Sequence, residues 1–227
     1  MMKTTSKIEM APVILFDLDG TLVDSAVDLL NALNVILQQT GKPAVSLAEL
    51  RPVVSKGARA MLAIAFPELN EEQRLQYLQA FLDCYQHAVA QHSTPFADIE
   101  KVLIAIEASG SRWGIVTNKP YYLAKEVVHS MGWSHRSAVL IGGDTLPRKK
   151  PDPDQLFHAC ELLAVQASDC VYVGDDERDV QAAKHAGMKS VAALWGYREA
   201  HDDPINWQAD VMCDMPRDLL AAGVLAV

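Results

Sequence analysis

The chain has 227 residues, half of them hydrophobic, which fits one large domain or a core domain carrying an insert. Its formal net charge of −9, without a Lys/Arg-rich run, argues against nucleic acid and anionic membranes as partners. Its four scattered cysteines form no C-x-x-C pair, and residues 1–9 lack an apolar run of signal-peptide length. We therefore expect a cytoplasmic protein with reduced thiols.

Five short apolar runs predict strands, at Val13–Phe16 and at residues 113–116, 138–141, 170–173 and 190–194. Continuous apolar runs are typical of strands that are covered on both faces. Helical patterns separate the later runs, at Ile99–Ala108 and at residues 122–131, 155–164 and 180–186. Glycine follows three of these helices as a stop signal. The alternation predicts an α/β fold with a doubly wound parallel sheet.

Residues 25–93, the helical insert, carry no strand pattern. Helices are predicted at residues 25–38 and 55–66, and capping boxes at Ser46 and Asn70. Apolar residues spaced by three and four predict a single amphipathic helix after the second box. We predict that the insert is a cap domain over the strand ends of a core domain formed by residues 1–24 and 94–227. Such a cap would exclude water from chemistry beneath it.

Two acids, Asp17 and Asp19, directly follow the first strand in Asp-Leu-Asp-Gly-Thr. Ligands of open parallel sheets bind outside the carboxyl ends of the strands, where paired acids can hold a hard cation or attack a substrate. A structural turn is the alternative, because Asp and Gly are common turn residues. A calcium loop of the EF-hand type does not fit, since Gly20 is the fourth residue of the segment rather than the sixth.

Polar residues also follow the second and third core strands. Thr117 and Asn118 precede a helix, where free N–H groups favour an anion, although both types are also common helix caps. Lys150 precedes Pro151, which restricts its backbone. A lysine fixed in an acidic cleft can neutralise phosphate, and a solvated loop lysine is the alternative.

A second group of acids follows the strand at residues 170–173. Asp175 is placed as a metal ligand. Asp179, four residues later, could orient such a ligand by hydrogen bonding without touching the metal itself. Asp176 also belongs to this group. The alternative is that these acids stabilise the start of the next helix through its dipole.

The order and spacing of these four segments resemble the haloacid dehalogenase-like superfamily over nearly the whole chain. Within it, the chain looks like the phosphoglycolate phosphatase group, as shown by Gly114-Ile-Val-Thr-Asn-Lys-Pro120, Gly142-Gly-Asp144 and Val173-Gly-Asp-Asp176. Trp195-Gly-Tyr197, Asp202-Asp203-Pro204 and Trp207 are also similar to bacterial N-acetylmuramic acid 6-phosphate phosphatases of the same group.

The resemblance implies a Mg²⁺-dependent phosphomonoester hydrolase that forms an aspartyl-phosphate on Asp17. It implies that Asp19 is the general acid and base, and it favours a phosphatase or mutase over a dehalogenase. It also implies that Asp17, Asp175 and the Asp19 backbone carbonyl bind Mg²⁺. Phosphate would be bound by Thr117, Asn118 and Lys150. Asp176 and Asp179 would support these ligands.

The cap segment Ser55-Lys-Gly-Ala-Arg59 resembles the family's specificity segment. We expect Lys56, Gly57 and Arg59 to select the substrate, a small phosphorylated metabolite, with a solvated cationic face as the alternative. Phosphoglycolate is the expected substrate and N-acetylmuramic acid 6-phosphate the runner-up. A phosphosugar mutase and a non-catalytic protein on the same scaffold are further alternatives.

Overall fold

The computed structural model describes residues 10–227; residues 1–9, where we noted no signal-peptide-like run, lie outside this range. Its strands, in chain order, are β1 Val13–Phe16, β2 Val23–Asp24, β3 Thr94–Pro95, β4 Arg112–Val116, β5 Leu140–Ile141, β6 Cys170–Gly174, β7 Lys189–Ala193 and β8 Val211–Cys213. Six of them form a parallel sheet in the order β5-β4-β1-β6-β7-β8. The prediction of a parallel α/β fold is therefore confirmed.

The α-helices, in chain order, are α1 Ala26–Gln39, α2 Leu47–Leu50, α3 Ala58–Ala65, α4 Glu71–Leu75, α5 Leu78–His87, α6 Ile99–Ala108, α7 Tyr121–Ser130, α8 Asp154–Leu163 and α9 Glu177–Ala186. The last four alternate with the strands of the sheet, as the sequence predicts. Within residues 10–227, no helix is both long and apolar enough to cross a membrane.

Strand β1 lies at the centre of the sheet and is buried on both faces. Ile14 and Phe16 pack in the cluster that contains residues of α6 and α7, whereas Val13 and Leu15 pack in the cluster that contains residues of α8 and α9. All four side chains are completely buried. Burial on both faces explains the unbroken apolar run and fixes the position at which β1 ends.

The helical insert differs from its prediction in two places. Gly57 has φ +88°, a value that side-chain-bearing residues rarely adopt, so the predicted helix at 55–66 is divided into a 3₁₀ helix, Arg51–Lys56, and α3. After Asn70, the backbone N–H groups of Gln76 and Tyr77 donate to carbonyls three residues back, and this tight turn separates α4 from α5. Both predicted capping boxes are present.

The insert has a hydrophobic cluster of its own, built from residues 26–85 with Leu123 and Tyr197 added from the core. The chain enters and leaves it through the antiparallel pair β2 and β3, in which Asp24 lies opposite Thr94. This pair lies at the predicted domain boundaries. The division into a core and a cap at residues 25–93 stays a prediction.

Candidate active site

Three buried carboxylates converge where β1 and β6 end. One oxygen from each of Asp17, Asp175 and Asp179 lies within 4.8 Å of the other two. Strands β1 and β6 are adjacent, and the Asp17 backbone N–H donates to the Val173 carbonyl at 2.9 Å. Since parallel neighbours end at the same edge of the sheet, the two acidic segments meet there, as the sequence predicts.

Lys150 supplies the cation that faces these acids. Its Nζ lies 3.0 Å from Asp17 Oδ1 and 2.6 Å from Asp179 Oδ1, and it donates to the Tyr172 hydroxyl at 2.7 Å. Its side chain is 1% exposed, so the alternative of a solvated loop lysine is wrong. Burial alone would lower its pKa, but Asp17 and Asp179 outweigh burial and raise the pKa, so Lys150 remains charged.

The crowded carboxylates disfavour one another's ionised forms. Burial, followed by the charges of Asp17 and Asp179, raises the pKa of Asp175 well above its usual range. Burial and the charge of Asp17 raise the pKa of Asp179 to about 6, although Lys150 opposes this. Two carboxylates about 4 Å apart repel by roughly 4 kcal/mol at an effective dielectric constant of about 20. A further cation would relieve this repulsion.

The Asp175 carboxylate is held from several directions. Thr21 Oγ1 donates to its Oδ1 at 3.0 Å, while Ser55 Oγ and the Tyr197 backbone N–H donate to Oδ2 at 2.6 and 2.9 Å. A Cβ on Gly20 would lie 2.1 Å from Oδ2, so only glycine fits beside this carboxylate. Gly20 also has φ +88°, which glycine adopts without strain.

The donor set fits a hard divalent cation, which prefers oxygen ligands. Among the residues that the structure describes, Asp17 Oδ1 is buried without a hydrogen-bond partner, because Lys150 approaches it without hydrogen-bonding geometry. The Asp19 carbonyl lies 3.4 Å from Ser55 Oγ, the same hydroxyl that contacts Asp175. Asp17, Asp175 and this carbonyl could therefore hold one metal ion. The Asp19 carboxylate is directed elsewhere, to Lys119.

Thr117 and Asn118 lie at the end of β4, beside the acids. Asn118 Nδ2 donates to the Lys150 carbonyl at 3.0 Å, and its Oδ1 is buried without a partner among residues 10–227. Helix α7 begins three residues later, with Pro120 at its N-cap, so N-capping explains neither residue. Both line the same cleft as Asp17 and Asp19.

Asp176 and Asp179 form a capping box at the start of α9. The Asp176 side chain accepts from the Arg178 backbone N–H, and Asp179 Oδ2 accepts from the Asp176 backbone N–H. Both acids therefore cap the start of α9 through hydrogen bonds. Asp179 additionally binds Lys150 at 2.6 Å, so it connects the start of α9 to the lysine that faces Asp17.

The cleft above these groups has a volume of about 590 Å³ and lies between the sheet edge and the insert. Much of its wall is apolar, formed by Leu29, Val54, Met61, Leu78, Phe81, Leu82 and Leu123. Lys56, Gly57 and Arg59 all line it. Lys56 pairs with Asp176 and Asp202, whereas Arg59 is largely exposed and pairs with Glu71.

Sequence reasoning missed Lys119 and Tyr85. Lys119 follows Asn118, and its Nζ lies 3.1 and 3.0 Å from the two carboxylate oxygens of Asp19. It also donates to the hydroxyl of Tyr85, on α5 of the insert, at 2.9 Å. The available signal was that Pro120 restricts Lys119 from its C-terminal side, just as Pro151 restricts Lys150.

A second network joins the insert to the core at Asp24. Arg51 binds both oxygens of Asp24, at 3.1 and 2.7 Å, and the Tyr197 hydroxyl donates to Oδ1 at 2.7 Å. The same tyrosine contacts Asp175 through its backbone. Burial would raise the pKa of Asp24, but Arg51 and Tyr197 outweigh burial and lower it.

We expect Arg51→Met to destabilise the protein by about 1 kcal/mol at pH 7, because both partners are partly exposed and their attraction is screened. A carboxyl group whose pKa is lower in the folded protein stabilises the fold at pH values above its pKa in the unfolded chain. That stabilisation is lost as the pH falls through its pKa in the folded protein. The deficit should therefore shrink towards pH 3. Urea unfolding at the two pH values measures it, with exposed Arg198→Met as the control. An equal deficit at both would contradict this account.

The fold and these residues place the chain in a known class: it belongs to the haloacid dehalogenase-like hydrolases, whose family model matches residues 14–193. It is a phosphatase of that family. A phosphoglycolate phosphatase from Xanthomonas campestris pv. campestris is 52% identical over 206 residues, covering 91% of this chain and 93% of that protein.

Other relatives agree on the family. An N-acetylmuramic acid 6-phosphate phosphatase from Pseudomonas aeruginosa is 41% identical over 208 residues, covering 91% of this chain and 92% of its own. The crystal structure of a predicted phosphoglycolate phosphatase from Haemophilus somnus superposes with a TM-score of 0.83 at 27% identity. That match covers 92% of this chain and 96% of the solved one.

Proposed function

We propose that this chain is a Mg²⁺-dependent phosphomonoesterase that works through an aspartyl-phosphate on Asp17. One observation carries the proposal: the buried Asp17 carboxylate stands at the centre of the sheet edge, with Lys150 beside it and with no hydrogen bond to Oδ1 from any residue between 10 and 227. A nucleophile needs an available lone pair, and the nearby cation lowers the cost of bringing in an anionic phosphate.

In the first step, an Asp17 carboxylate oxygen attacks phosphorus, and the bond from phosphorus to the leaving oxygen breaks. Asp19 gives its proton to that oxygen, so the leaving oxygen departs as a neutral hydroxyl group of the product. Thr117, Asn118 and Lys150 are proposed to bind the phosphoryl oxygens. Mg²⁺, held by Asp17, Asp175 and the Asp19 carbonyl, would supply positive charge to the transferring group.

In the second step, the Asp19 carboxylate takes a proton from water as the water oxygen attacks phosphorus. The bond between Asp17 and phosphorus breaks, inorganic phosphate leaves, and Asp19 again holds the proton needed for the next cycle. Asp176 and Asp179 support this chemistry by fixing the start of α9 and by binding Lys150.

The substrate is proposed to be a small phosphorylated metabolite that carries a carboxylate, with phosphoglycolate first. Relatives that are 49–52% identical to this chain are phosphoglycolate phosphatases. We propose that Arg59 contacts the substrate carboxylate from the cleft wall and that Gly57 admits it. Lys56 is already paired with two core acids and would act by holding the segment in place. The free thiols of all four cysteines support the expected cytoplasmic location.

One observation favours the second candidate, N-acetylmuramic acid 6-phosphate. A cleft of about 590 Å³ with apolar walls exceeds what the two-carbon glycolate group would fill. An amino sugar with a lactyl ether and an acetyl group would bring apolar surface to that wall. Burial of apolar surface is worth about 25 cal/mol per Å², so the better-filled cleft would lower KM.

The test is phosphate release by the purified protein from each of these two compounds, with Mg²⁺ and with EDTA. We expect rapid release from at least one, a fall of at least about 10²-fold in EDTA, and recovery when Mg²⁺ is restored. The ratio of the two kcat/KM values selects the substrate. Release from neither compound, or full activity in EDTA, would contradict the proposed function.

A further inference from the structure

Lys119 links the helical insert to the Asp19 carboxylate through buried contacts. Its side chain is 5% exposed, yet it meets both oxygens of the Asp19 carboxylate and the hydroxyl of Tyr85. Burying an ammonium group is expensive unless it is paired. Two partners on different parts of the fold offset this cost: Asp19, which follows β1, and Tyr85, on α5.

The charge of Lys119 is secured by these partners. Burial alone would lower its pKa, but the Asp19 carboxylate and Tyr85 outweigh burial and raise the pKa above its ordinary value. Burial also raises the pKa of Tyr85 to about 12, so its hydroxyl stays neutral. The Lys119 Nζ lies 4.4 Å from the centre of the Tyr85 ring, which adds a cation–π contact.

The backbone of Lys119 is fixed as well. Its N–H donates to Thr117 Oγ1 at 3.2 Å, its carbonyl accepts from the Gly143 N–H at 2.8 Å, and Pro120 follows it. The ammonium group is thus held between a rigid turn of the core and a completely buried side chain of the insert. Ser25 Oγ also donates to Asp19 Oδ1, at 2.5 Å.

We propose that Lys119, anchored by Tyr85 of the helical insert, positions the Asp19 carboxylate to accept the proton of the attacking water during hydrolysis of the aspartyl-phosphate. Both residues are positioning residues, and the alignment of Asp19 therefore depends on the insert being seated on the core. This inference rests on the proposed function of Asp17 and Asp19. A misaligned Asp19 slows the second step while leaving Asp17 free to attack.

Steady-state kinetics with p-nitrophenyl phosphate separates the two steps. Its leaving group needs little help from a proton, so kcat/KM reports the attack by Asp17 and kcat reports hydrolysis of the intermediate. For Lys119→Met we expect kcat to fall by about 10- to 100-fold, because a misaligned base loses part of the roughly 10²- to 10⁴-fold that general acid–base catalysis contributes. We expect kcat/KM to stay within about threefold of wild type, so that KM falls with kcat.

Tyr85→Phe keeps the ring and removes the hydroxyl, so it tests the proposal even if Lys119→Met does not fold. It should show the same split with a smaller fall in kcat, and the double variant should be no slower than Lys119→Met alone. Exposed Lys125→Met on α7 and Tyr77→Phe in the insert are the matched controls and should match wild type. Lys119→Arg should recover part of kcat.

Three results are distinguishable. Equal falls of kcat and kcat/KM in Lys119→Met and Tyr85→Phe, or an unchanged kcat in both, would overturn the inference and leave the proposed function standing. If Asp19→Asn itself fails to lower kcat, the assigned role of Asp19 fails. If wild-type protein releases phosphate from neither phosphoglycolate nor N-acetylmuramic acid 6-phosphate, the proposed function fails.

Discussion

Asp17→Asn is expected to lower phosphate release by about 10⁴-fold or more, because removal of a nucleophile costs most of the catalytic advantage. The folded protein should not lose stability. Asn has the same shape, and the charge of Asp17 raises the pKa of both Asp175 and Asp179, so its removal relieves repulsion. A phosphate-release assay measures the loss of activity, and thermal unfolding of the same preparation measures stability.

The matched control is Asp169→Asn, an exposed acid just before the opposite end of β6. It should behave as wild type in both measurements. Wild-type turnover by Asp17→Asn, with every substrate that the enzyme accepts, would show that the nucleophile is another residue. Lost activity together with a large fall in stability would instead indicate a structural role for Asp17.

Lys150→Met is expected to affect both activity and stability. It leaves three buried carboxylates within 4.8 Å of one another without their lysine, and breaking a buried ion pair costs about 3–5 kcal/mol. For a chain of this length, that loss corresponds to a fall in Tm of roughly 10 °C. Loss of a cation that stabilises the transferring phosphoryl group should also lower kcat by about 10²-fold or more.

The stability loss should depend on pH in a defined direction. A carboxyl group whose pKa is higher in the folded protein than in the unfolded chain destabilises the native state as the pH rises through its pKa in the folded protein. Asp179 already has a pKa of about 6 with Lys150 present, and loss of the lysine raises it further. The deficit measured in EDTA should therefore be larger at pH 8 than at pH 5.

Lys149→Met provides the control for stability, because its exposed side chain neighbours Lys150 in the chain. We expect its Tm to remain within a degree or two of wild type, as surface substitutions usually do. If Lys150→Met were as stable as this control at pH 8, the acids would not depend on Lys150 for their charge balance.

The residues at the centre of the site could be located from the sequence, because the ends of buried strands are easy to recognise. A completely buried parallel strand such as β1 is an unbroken apolar run, and the residue after it must lie at the edge of the sheet. The same reasoning placed Asp175 after β6 and Thr117 after β4. Three segments that are distant in the chain could therefore be assigned to one site.

Short or edge elements escaped prediction for the converse reason. Strand β8 has three residues, of which Met212 is exposed, and β2 and β3 have two residues each. Such segments bury too few side chains to show a periodic pattern. Their positions are set by contacts with distant strands, which local sequence does not record.

Contacts between the insert and the core were also beyond local reasoning. Tyr85 lies in the region where the apolar spacing predicts an amphipathic helix, but its hydroxyl contact with Lys119 depends on how α5 lies over the sheet. Arg51 and Tyr197 meet at Asp24 although they are distant from it in sequence. Long-range polar pairs of this kind follow from the packing of whole elements.

The most direct test of the central claim is mass spectrometry of enzyme quenched in acid during turnover. We predict a phosphoryl adduct on the peptide that contains Asp17, increased in amount in Lys119→Met and absent from Asp17→Asn. An adduct on a different residue, or wild-type turnover that never phosphorylates this peptide, would contradict the account.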